Sequence, residues 1–397
     1  MKKSFKHAML FIAACTMTTG FVACGNDEND NTLVPTTPTN NNGSTSTNDT
    51  VPTIDVNNLD FKMAYADKWA NYMSIVSGLL KDDATTLYNE WNDRYADYFK
   101  AHNSDEYLSA LNCVDQILDG CKEIASEVGA SKIGEPYNYW VDGDREAAVY
   151  AVESWYSWHS REDYRNNIYS IRNAYYGTRD GSISPNSLSA LLAKKNPELD
   201  QQTKEAIQNA ADAIWDIPQP FRNNISTIET VAAMLACAEL EEFIDKELKP
   251  YFNDNIKTDE ELDPIVRQYV DVVVLPTYKD LMNKNIALDN AVKEFKKSPS
   301  DQTFAACADA WLAAREPWEL SEAFLFGPVD EKGLDPNMDS WPLDQAQIAQ
   351  ILNSQDFSNL YWNESASDSK IEEAQSLRGF HTLEFLIFKD GKARTVK

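Results

Sequence analysis

Residues 106–128 read EYLSALNCVDQILDGCKEIASEV, and apolar side chains recur in this stretch at intervals of three and four positions. An α-helix turns once in about 3.6 residues, so this spacing lines the apolar side chains along one face for about six turns. Glycine is sparse, with 14 in 397 residues. The same periodicity continues in 60–80, 84–100, 144–175, 197–216, 226–252, 262–297, 300–326 and 368–388. The sequence therefore predicts an all-α fold whose long helices pack as two bundles.

The amino-terminal segment has the pattern of a bacterial lipoprotein signal. Lysines at positions 2, 3 and 6 precede a short apolar run, and Cys24 follows a small residue, Ala23. We interpret 1–24 as a signal peptide with its lipobox and Cys24 as the lipidated residue. The apolar run is too short for a membrane span. We expect an outer-membrane lipoprotein, and the sequence leaves open whether it faces the periplasm or the cell surface.

Composition divides the rest of the chain. Residues 25–58 are rich in Asn, Thr and Ser, which predicts a flexible tether with little to bury. The folded part, 59–397, is long enough for two helical halves, which we place at 59–260 and 261–397. The formal net charge of −27 argues against a nucleic-acid partner and is compatible with cations.

A His and a Glu lie three residues apart near the carboxyl terminus. His381 and Glu384 belong to the segment GFHTLE, 379–384, inside an otherwise apolar run. On a helix this spacing puts both side chains on one face. Burial of such a pair is costly unless a metal ion or a charged partner satisfies it. The alternative is a core histidine that is hydrogen-bonded to its neighbouring glutamate.

Three charged residues form a second pattern. Arg315, Glu319 and Glu322 are spaced i, i+4 and i+7, which predicts a single stripe on a helix that Pro317 interrupts. The helix is apolar on its other faces, so we expect the stripe to be enclosed, and enclosed carboxylates need cations. A solvent-facing ion pair is the alternative.

Four segments of the sequence resemble those of a known family. Residues 311–343 are similar to a segment of the imelysin family, and Gly379, His381 and Glu384 match its G-x-H-x-x-E signature. Two more blocks, Glu153 to Ser157 with Asp163 and Asn167, and Ile217 to Phe221, also look like family segments. The four blocks together extend over most of the chain after residue 59.

The order of these blocks differs from the usual family order. G-x-H-x-x-E usually precedes the other two blocks, whereas here it lies next to the end of the chain. A circular permutation explains the difference, and such a rearrangement is tolerated when the old termini are close together. We therefore expect the two ends of the folded part, near 59 and 397, to be neighbours in space.

The resemblance implies two bundle-like halves with the motif residues in a cleft near their interface. In such a cleft the candidate metal ligands are His381, Glu384, Glu319 and Glu322. The residues expected to line or orient this cleft are Arg315, Trp318, Gly379, Asp339, Ser340, Ser154, Ser157 and Asp163. Members of the family are cell-envelope proteins linked to iron acquisition, and the family carries a metallopeptidase name.

Three functions stay open at this stage. The first is a metal-binding component of iron acquisition that holds iron or zinc and works with iron-uptake proteins. A second is a zinc peptidase in which Glu319 or Glu322 completes the ligand set, although the sequence contains no H-E-x-x-H. The third is a protein that binds a peptide or another ligand without metal.

Overall fold

Helices make up almost all of the regular structure. The computed structural model describes residues 59–256, 258–363 and 365–396. The predicted signal peptide, the lipidated Cys24 and the tether lie outside the described residues. The α-helices are α1 (Ala66–Glu90), α2 (Ala96–Ala101), α3 (Ala110–Ser126), α4 (Gly134–Val141), α5 (Arg145–Tyr150), α6 (Ser160–Tyr176), α7 (Leu188–Lys195), α8 (Pro197–Asp216), α9 (Ile228–Phe243), α10 (Lys249–Asn255), α11 (Asp259–Gln268), α12 (Leu275–Lys297), α13 (Asp301–Glu319), α14 (Pro328–Lys332), α15 (Leu334–Asp339), α16 (Gln345–Ser354), α17 (Asp368–Gln375) and α18 (Gly379–Ile387).

Short segments of other geometry complete the chain. A two-stranded antiparallel hairpin, β1 (Phe388–Lys389) and β2 (Lys392–Ala393), follows α18. The 3₁₀ turns are Met63–Tyr65, Phe221–Asn223, Glu322–Phe324 and Ser358–Leu360. The π-helical turns are Trp91–Tyr95, Glu127–Lys132, Ile244–Leu248 and Tyr269–Val274, each continuous with a flanking helix. The all-α prediction is confirmed.

The helices pack as two four-helix groups. One group contains α1, α12, α13 and α18, and the other contains α3, α6, α8 and α9. Contacts between α6 and α13 join the two groups. Because α1 packs with α12 and α18, the first group combines helices from both sides of residue 260. The two sequence halves that we placed at 59–260 and 261–397 stay a prediction.

The two ends of the folded part are in contact, as expected. The guanidinium of Arg394 donates to the backbone oxygen of Leu59 at 2.9 Å, and the ammonium of Lys389 donates to Asp60 at 2.7 Å. Both bonds link the first described residues to the terminal hairpin. This proximity is what a circular permutation requires, although the permutation itself stays an interpretation of the block order.

The predicted helix over 144–175 is wrong in its middle. The chain leaves the helix after Tyr150 and re-enters it at Ser160, and between them Ser154 and Trp158 adopt left-handed backbone angles with φ of 53° and 62°. Such angles are strained for residues other than glycine, so tertiary contacts must hold them. One such contact is the hydrogen bond from Gly391 N to Tyr156 O at 2.9 Å. We call residues 151–159 the site loop.

Two other predicted helices end early. Over 300–326, α13 stops at Glu319 and a 3₁₀ turn carries Glu322, so Arg315 and Glu322 do not share one helical stripe. Over 368–388, the chain breaks between α17 and α18, where Gly379 has φ of 86°. None of the helices in the described ranges is long and apolar enough to cross a membrane.

Candidate functional site

His381 is the centre of a buried polar cluster at the junction of the two helix groups. It lies on α18 with no exposed surface. Its Nε2 atom lies 3.1 Å from Glu153 Oε1 and 3.0 Å from Asp339 Oδ1, and its Nδ1 atom lies 3.2 Å from Glu384 Oε2. Three carboxylates therefore surround one imidazole. Burial and Arg315 lower the pKa of His381, but Asp339 and Glu153 raise it more, so the net pKa lies well above its usual value.

The backbone at Gly379 explains why the motif begins with glycine. Gly379 has φ of 86°, a conformation that side chains disfavour. A Cβ atom there would lie 2.4 Å from the backbone oxygen of Met338, next to Asp339. Glycine thus allows α18, with His381, to approach the end of α15 closely enough for Asp339 to reach the imidazole.

Glu384 is held by the site loop. Ser157 donates to Glu384 Oε1 from its backbone N at 2.8 Å and from its Oγ at 2.7 Å. The other carboxylate oxygen of Glu384 faces His381 Nδ1. Because a hydrogen bond on one ring nitrogen fixes the tautomer and orientation of a histidine, Glu384 leaves Nε2 to face Glu153 and Asp339.

Arg315 is the main cation of the cluster. Its buried guanidinium contacts Glu153 at 2.6 Å, Glu319 at 2.6 Å and Asp163 at 3.4 Å, and it also contacts Asp339. Burial lowers the pKa of Arg315, but these carboxylates raise it well above its usual value. One guanidinium therefore serves four carboxylates that come from the site loop, α6, α13 and α15.

Lys132 is a second cation of the cluster. It ends the π-helical turn Glu127–Lys132, and its ammonium lies 3.2 Å from Glu153 and 3.6 Å from Glu322. Burial raises the pKa of Glu322 and Lys132 lowers it, but burial together with Glu319 outweighs Lys132, so the pKa lies well above its usual value. Glu319 has a pKa raised to about 8, chiefly by burial, and it accepts a hydrogen bond of 2.5 Å from Asn167 Nδ2.

Acidic groups outnumber basic groups in this cluster. Six carboxylate side chains, each at most 8 % exposed, lie among four cationic groups when both histidines are protonated. The six carboxylates are Glu153, Asp163, Glu319, Glu322, Asp339 and Glu384; the cationic groups are Arg315, Lys132, His381 and His159. The difference of two charges, buried in a medium of low dielectric constant, requires bound protons or a further cation.

Two groups of potential ligand atoms lie within this cluster. The imidazole and carboxylate atoms of Glu153, Asp339 and His381 all lie within 4.8 Å of one another. The carboxylate oxygens of Glu319, Glu322 and Asp339 form a second such group. Asp339 belongs to both groups, so it connects His381 to the two glutamates that the sequence placed near it.

The other predicted cleft residues contact carboxylates of the cluster or the helix that carries Asp339. Trp318 Nε1 donates to Asp339 Oδ2 at 2.6 Å, and Ser154 Oγ donates to Asp163 Oδ2 at 2.6 Å. These two residues position carboxylates of the cluster. Ser340 Oγ donates instead to the backbone oxygen of Pro336 at 2.7 Å, which secures the end of α15.

Sequence reasoning missed two central residues. Glu153 was noted only as part of a family block, although it lies against His381 and Arg315. Lys132 carried no signal, because its position depends on a π-helical turn that no spacing rule reveals. The family block from Glu153 to Ser157 was the signal that could have identified Glu153, since its last residue, Ser157, donates a hydrogen bond to Glu384.

The fold and the cluster together define an all-α, two-bundle protein with a buried histidine and carboxylate centre. The profile of the family described as Imelysin matches residues 43–246 and 274–397, and the chain belongs to this family. The crystal structure of an imelysin peptidase from Bacteroides ovatus is 59 % identical, with a TM-score of 0.85, and the match covers 86 % of this chain and 100 % of that one.

A curated relative matches over a shorter region. Iron-regulated protein A from Synechococcus elongatus is 31 % identical over 124 residues, which is 31 % of this chain and 31 % of that protein. The match thus spans about a third of the relative's length.

Proposed function

We propose that this protein binds a metal ion, with iron as the first choice and zinc as the second, through His381, Glu153 and Asp339. The observation that carries the proposal is the enclosed trio of donor atoms within 4.8 Å of one another. The surplus of two buried carboxylates is compatible with it, because the positive charge comes either from protons on Glu319 and Glu322, whose pKa values are raised, or from a metal ion that displaces such protons.

The chemistry of the donor set fits such an ion. The separations of 3.0 and 3.1 Å from His381 Nε2 to the two carboxylate oxygens are hydrogen-bond distances. Donors that share a tetrahedral ion at about 2.0–2.2 Å lie about 3.3–3.6 Å apart, so these atoms would have to separate by only a few tenths of an ångström to hold one. One imidazole with hard oxygen ligands suits iron or zinc, whereas thiolates are absent from this donor set. Glu319 and Glu322, with Asp339, form an adjoining all-oxygen group.

Arg315 sets a condition on this proposal. It contacts both proposed carboxylate ligands, Glu153 and Asp339, so an ion would compete with the guanidinium for their oxygens. Arg315 also contacts Asp163 and Glu319. If a metal ion took the oxygens of Glu153 and Asp339, the guanidinium would still be paired with these two carboxylates. We assign Glu384 to orienting His381 rather than to direct ligation, because it faces the opposite ring nitrogen.

The choice of iron rests on the name of one relative. The curated relative is named an iron-regulated protein, and we extend that link to this chain as part of the proposal. Lipidation of Cys24 would attach the protein to the outer membrane, where iron-uptake proteins would be its partners. The bound ion would then be cargo or a structural ion of an uptake component.

Peptidase activity is the second candidate, favoured by the name of the Bacteroides ovatus structure. A hydrolytic zinc site needs an open coordination position and access for a substrate. The side chains of His381 and Glu384 are wholly buried, which supports binding over cleavage.

The test compares metal binding and cleavage in one preparation. The mature chain would be titrated with Fe²⁺, Fe³⁺ and Zn²⁺ by calorimetry, and bound metal would be counted by mass spectrometry. We expect about one ion per chain, lost in His381→Asn and kept in the control His102→Asn, whose imidazole contacts Asp263 outside the cluster. Equal binding in both variants would refute the site. Cleavage of unfolded protein substrates that zinc restores after chelation would establish the peptidase instead.

A further inference from the structure

A separate pocket opens beside α6, on the outer side of His159. Its volume is about 260 Å³, and its lining includes His159, Arg165, Tyr169, Trp215 and Leu312. None of the proposed metal ligands lines it. The pocket is therefore distinct from the His381 centre, although the two are connected through the hydrogen bond between His159 Nδ1 and Asp163 at 2.9 Å.

Aromatic side chains and an arginine build one wall of the pocket. The guanidinium of Arg165 lies 4.5 Å from the ring centre of Trp215 and 5.0 Å from that of Tyr169. Stacking on two rings restricts the guanidinium to a small region while leaving its edge available for hydrogen bonds. Trp215 is 40 % exposed, which is high for so large an apolar side chain.

The acidic groups of the lining are already engaged. Glu162 accepts hydrogen bonds of 2.9 and 2.7 Å from Gln219, and Glu316 accepts one of 3.0 Å from Lys284. Neither carboxylate therefore depends on a ligand cation for a partner.

The basic groups of the lining have unused hydrogen-bonding capacity. Arg165 makes no hydrogen bond within the described ranges: its Nε is buried out of reach of solvent, and its nearest carboxylate contact is Asp212, 3.7 Å from Nη2, so its Nη groups have no protein acceptor at hydrogen-bond distance. His159 directs Nδ1 to Asp163, which leaves Nε2 on the other edge of the ring. Charged donors that have no protein acceptor can pair with an acceptor on a ligand.

We infer that this pocket binds a small aromatic carboxylate, whose carboxylate pairs with Arg165 and His159 and whose ring lies against Trp215, Tyr169 and Leu312. A planar carboxylate matches the two parallel donors of a guanidinium edge. An aromatic ring of six carbons fits within 260 Å³. It replaces water on the part of the indole of Trp215 that the guanidinium groups of Arg161 and Arg165 leave uncovered.

Benzoate is the probe, and benzamide is its neutral counterpart of the same shape. Binding to the full mature chain would be followed by calorimetry and by saturation-transfer NMR. We expect benzoate to bind with a Kd on the order of 1 mM and benzamide at least about tenfold more weakly, because a charged hydrogen bond to arginine is lost. This comparison needs no variant. Equal binding of the two compounds, or no binding of benzoate, would overturn the inference.

Variants then assign the contacts. Arg165→Gln should weaken benzoate binding at least about tenfold, and Trp215→Ala should weaken it about fivefold. Arg145→Gln is the matched control, since Arg145 stacks 4.1 Å from the ring of Trp140, away from the pocket. Unchanged affinity in Arg165→Gln, or an equal loss in Arg145→Gln, would contradict the assignment.

Discussion

Ser157 donates two hydrogen bonds to a single oxygen of Glu384, one from its backbone N at 2.8 Å and one from its Oγ at 2.7 Å. The two residues are 227 positions apart, and both are buried. This contact attaches the strained site loop to α18, which carries His381. The imidazole is consequently oriented by a residue that belongs to a different family block.

Ser157→Ala should therefore affect both stability and metal affinity. The substitution leaves the backbone hydrogen bond but removes the Oγ donor, at a cost of about 1–2 kcal/mol in the free energy of unfolding. Since a looser Glu384 orients His381 less well, we also expect metal affinity to fall about tenfold or more. Urea unfolding and calorimetric titration measure the two effects.

Ser77→Ala is the control for this variant. Ser77 is also buried and donates to a carboxylate, Asp289, at 3.0 Å, but it lies outside the cluster. It should lose similar stability and keep its metal affinity. If both variants bind metal as the wild type does, Ser157 has no role beyond stability.

Arg315→Gln should make the cluster depend on added cations. Removing one partner of a buried ion pair costs about 3–5 kcal/mol, and here four carboxylates lose the same partner. Added Zn²⁺ or Fe²⁺ should raise the melting temperature of this variant more than that of the wild type, because the ion replaces the missing charge. Thermal unfolding with and without metal checks the difference.

Arg378→Gln tests whether this response is specific. Its guanidinium is nearly buried and pairs with Asp83, which is not one of the six carboxylates of the cluster. The Arg378→Gln variant should be less stable than the wild type, and added metal should not raise its melting temperature more than that of the wild type. A gain of equal size in both variants would mean that the ions bind exposed carboxylates of this acidic chain.

Gly379→Ala should disturb the site as well as the backbone. The left-handed angle alone costs about 1–2 kcal/mol for a residue with a Cβ. The added Cβ would also collide with Met338 O at 2.4 Å and displace the neighbouring Asp339. Gly143→Ala isolates the first effect, since Gly143 has φ of 90° and nothing lies within 4 Å of the position that an added Cβ would take. Unfolding free energies should separate the variants, with the larger loss at 379.

His159 should make stability depend on pH. Burial lowers the pKa of His159, but Asp163 raises it more, to about 9. Because the folded pKa exceeds the unfolded value of about 6.5, protonated His159 stabilises the fold fully below pH 6.5, and this contribution is lost as pH rises through 9.

The expected loss is at most about 3 kcal/mol between pH 6 and 9.5. Urea unfolding at these two values measures it. His159→Gln should remove this part of the pH dependence, whereas His102→Gln should keep it. An identical pH profile in His159→Gln and the wild type would show that the ion pair with Asp163 contributes nothing.

The sequence was sufficient for the helical class and for half of the site. Periodicity in 106–128 predicts α3, and the spacing of His381 and Glu384 predicts their contact of 3.2 Å. Local spacing could not reveal Glu153, because its position depends on the site loop between α5 and α6, which side-chain and backbone contacts from distant segments hold in place. The position of Lys132 could not be predicted for a similar reason, since it depends on a π-helical turn, Glu127–Lys132.

The predicted stripe shows how a short-range rule fails. Arg315 and Glu319 are four residues apart on α13 and make the expected contact of 2.6 Å. Glu322 lies beyond the end of α13, in a 3₁₀ turn, and it pairs with Lys132 instead. The apolar residues on the other faces of the predicted helix continue to residue 326, so they gave no indication that α13 would end at Glu319.

Anomalous X-ray scattering from crystals soaked in Fe²⁺ or Zn²⁺ decides whether the cluster is a metal centre. We expect one strong peak about 2.0–2.3 Å from His381 Nε2, with carboxylate oxygens of Glu153 and Asp339 at similar distances. Arg315 would then keep its contacts with Asp163 and Glu319. Crystals saturated with metal that show no peak beside His381, and Arg315 still bridging Glu153 and Asp339, would contradict the proposed metal centre.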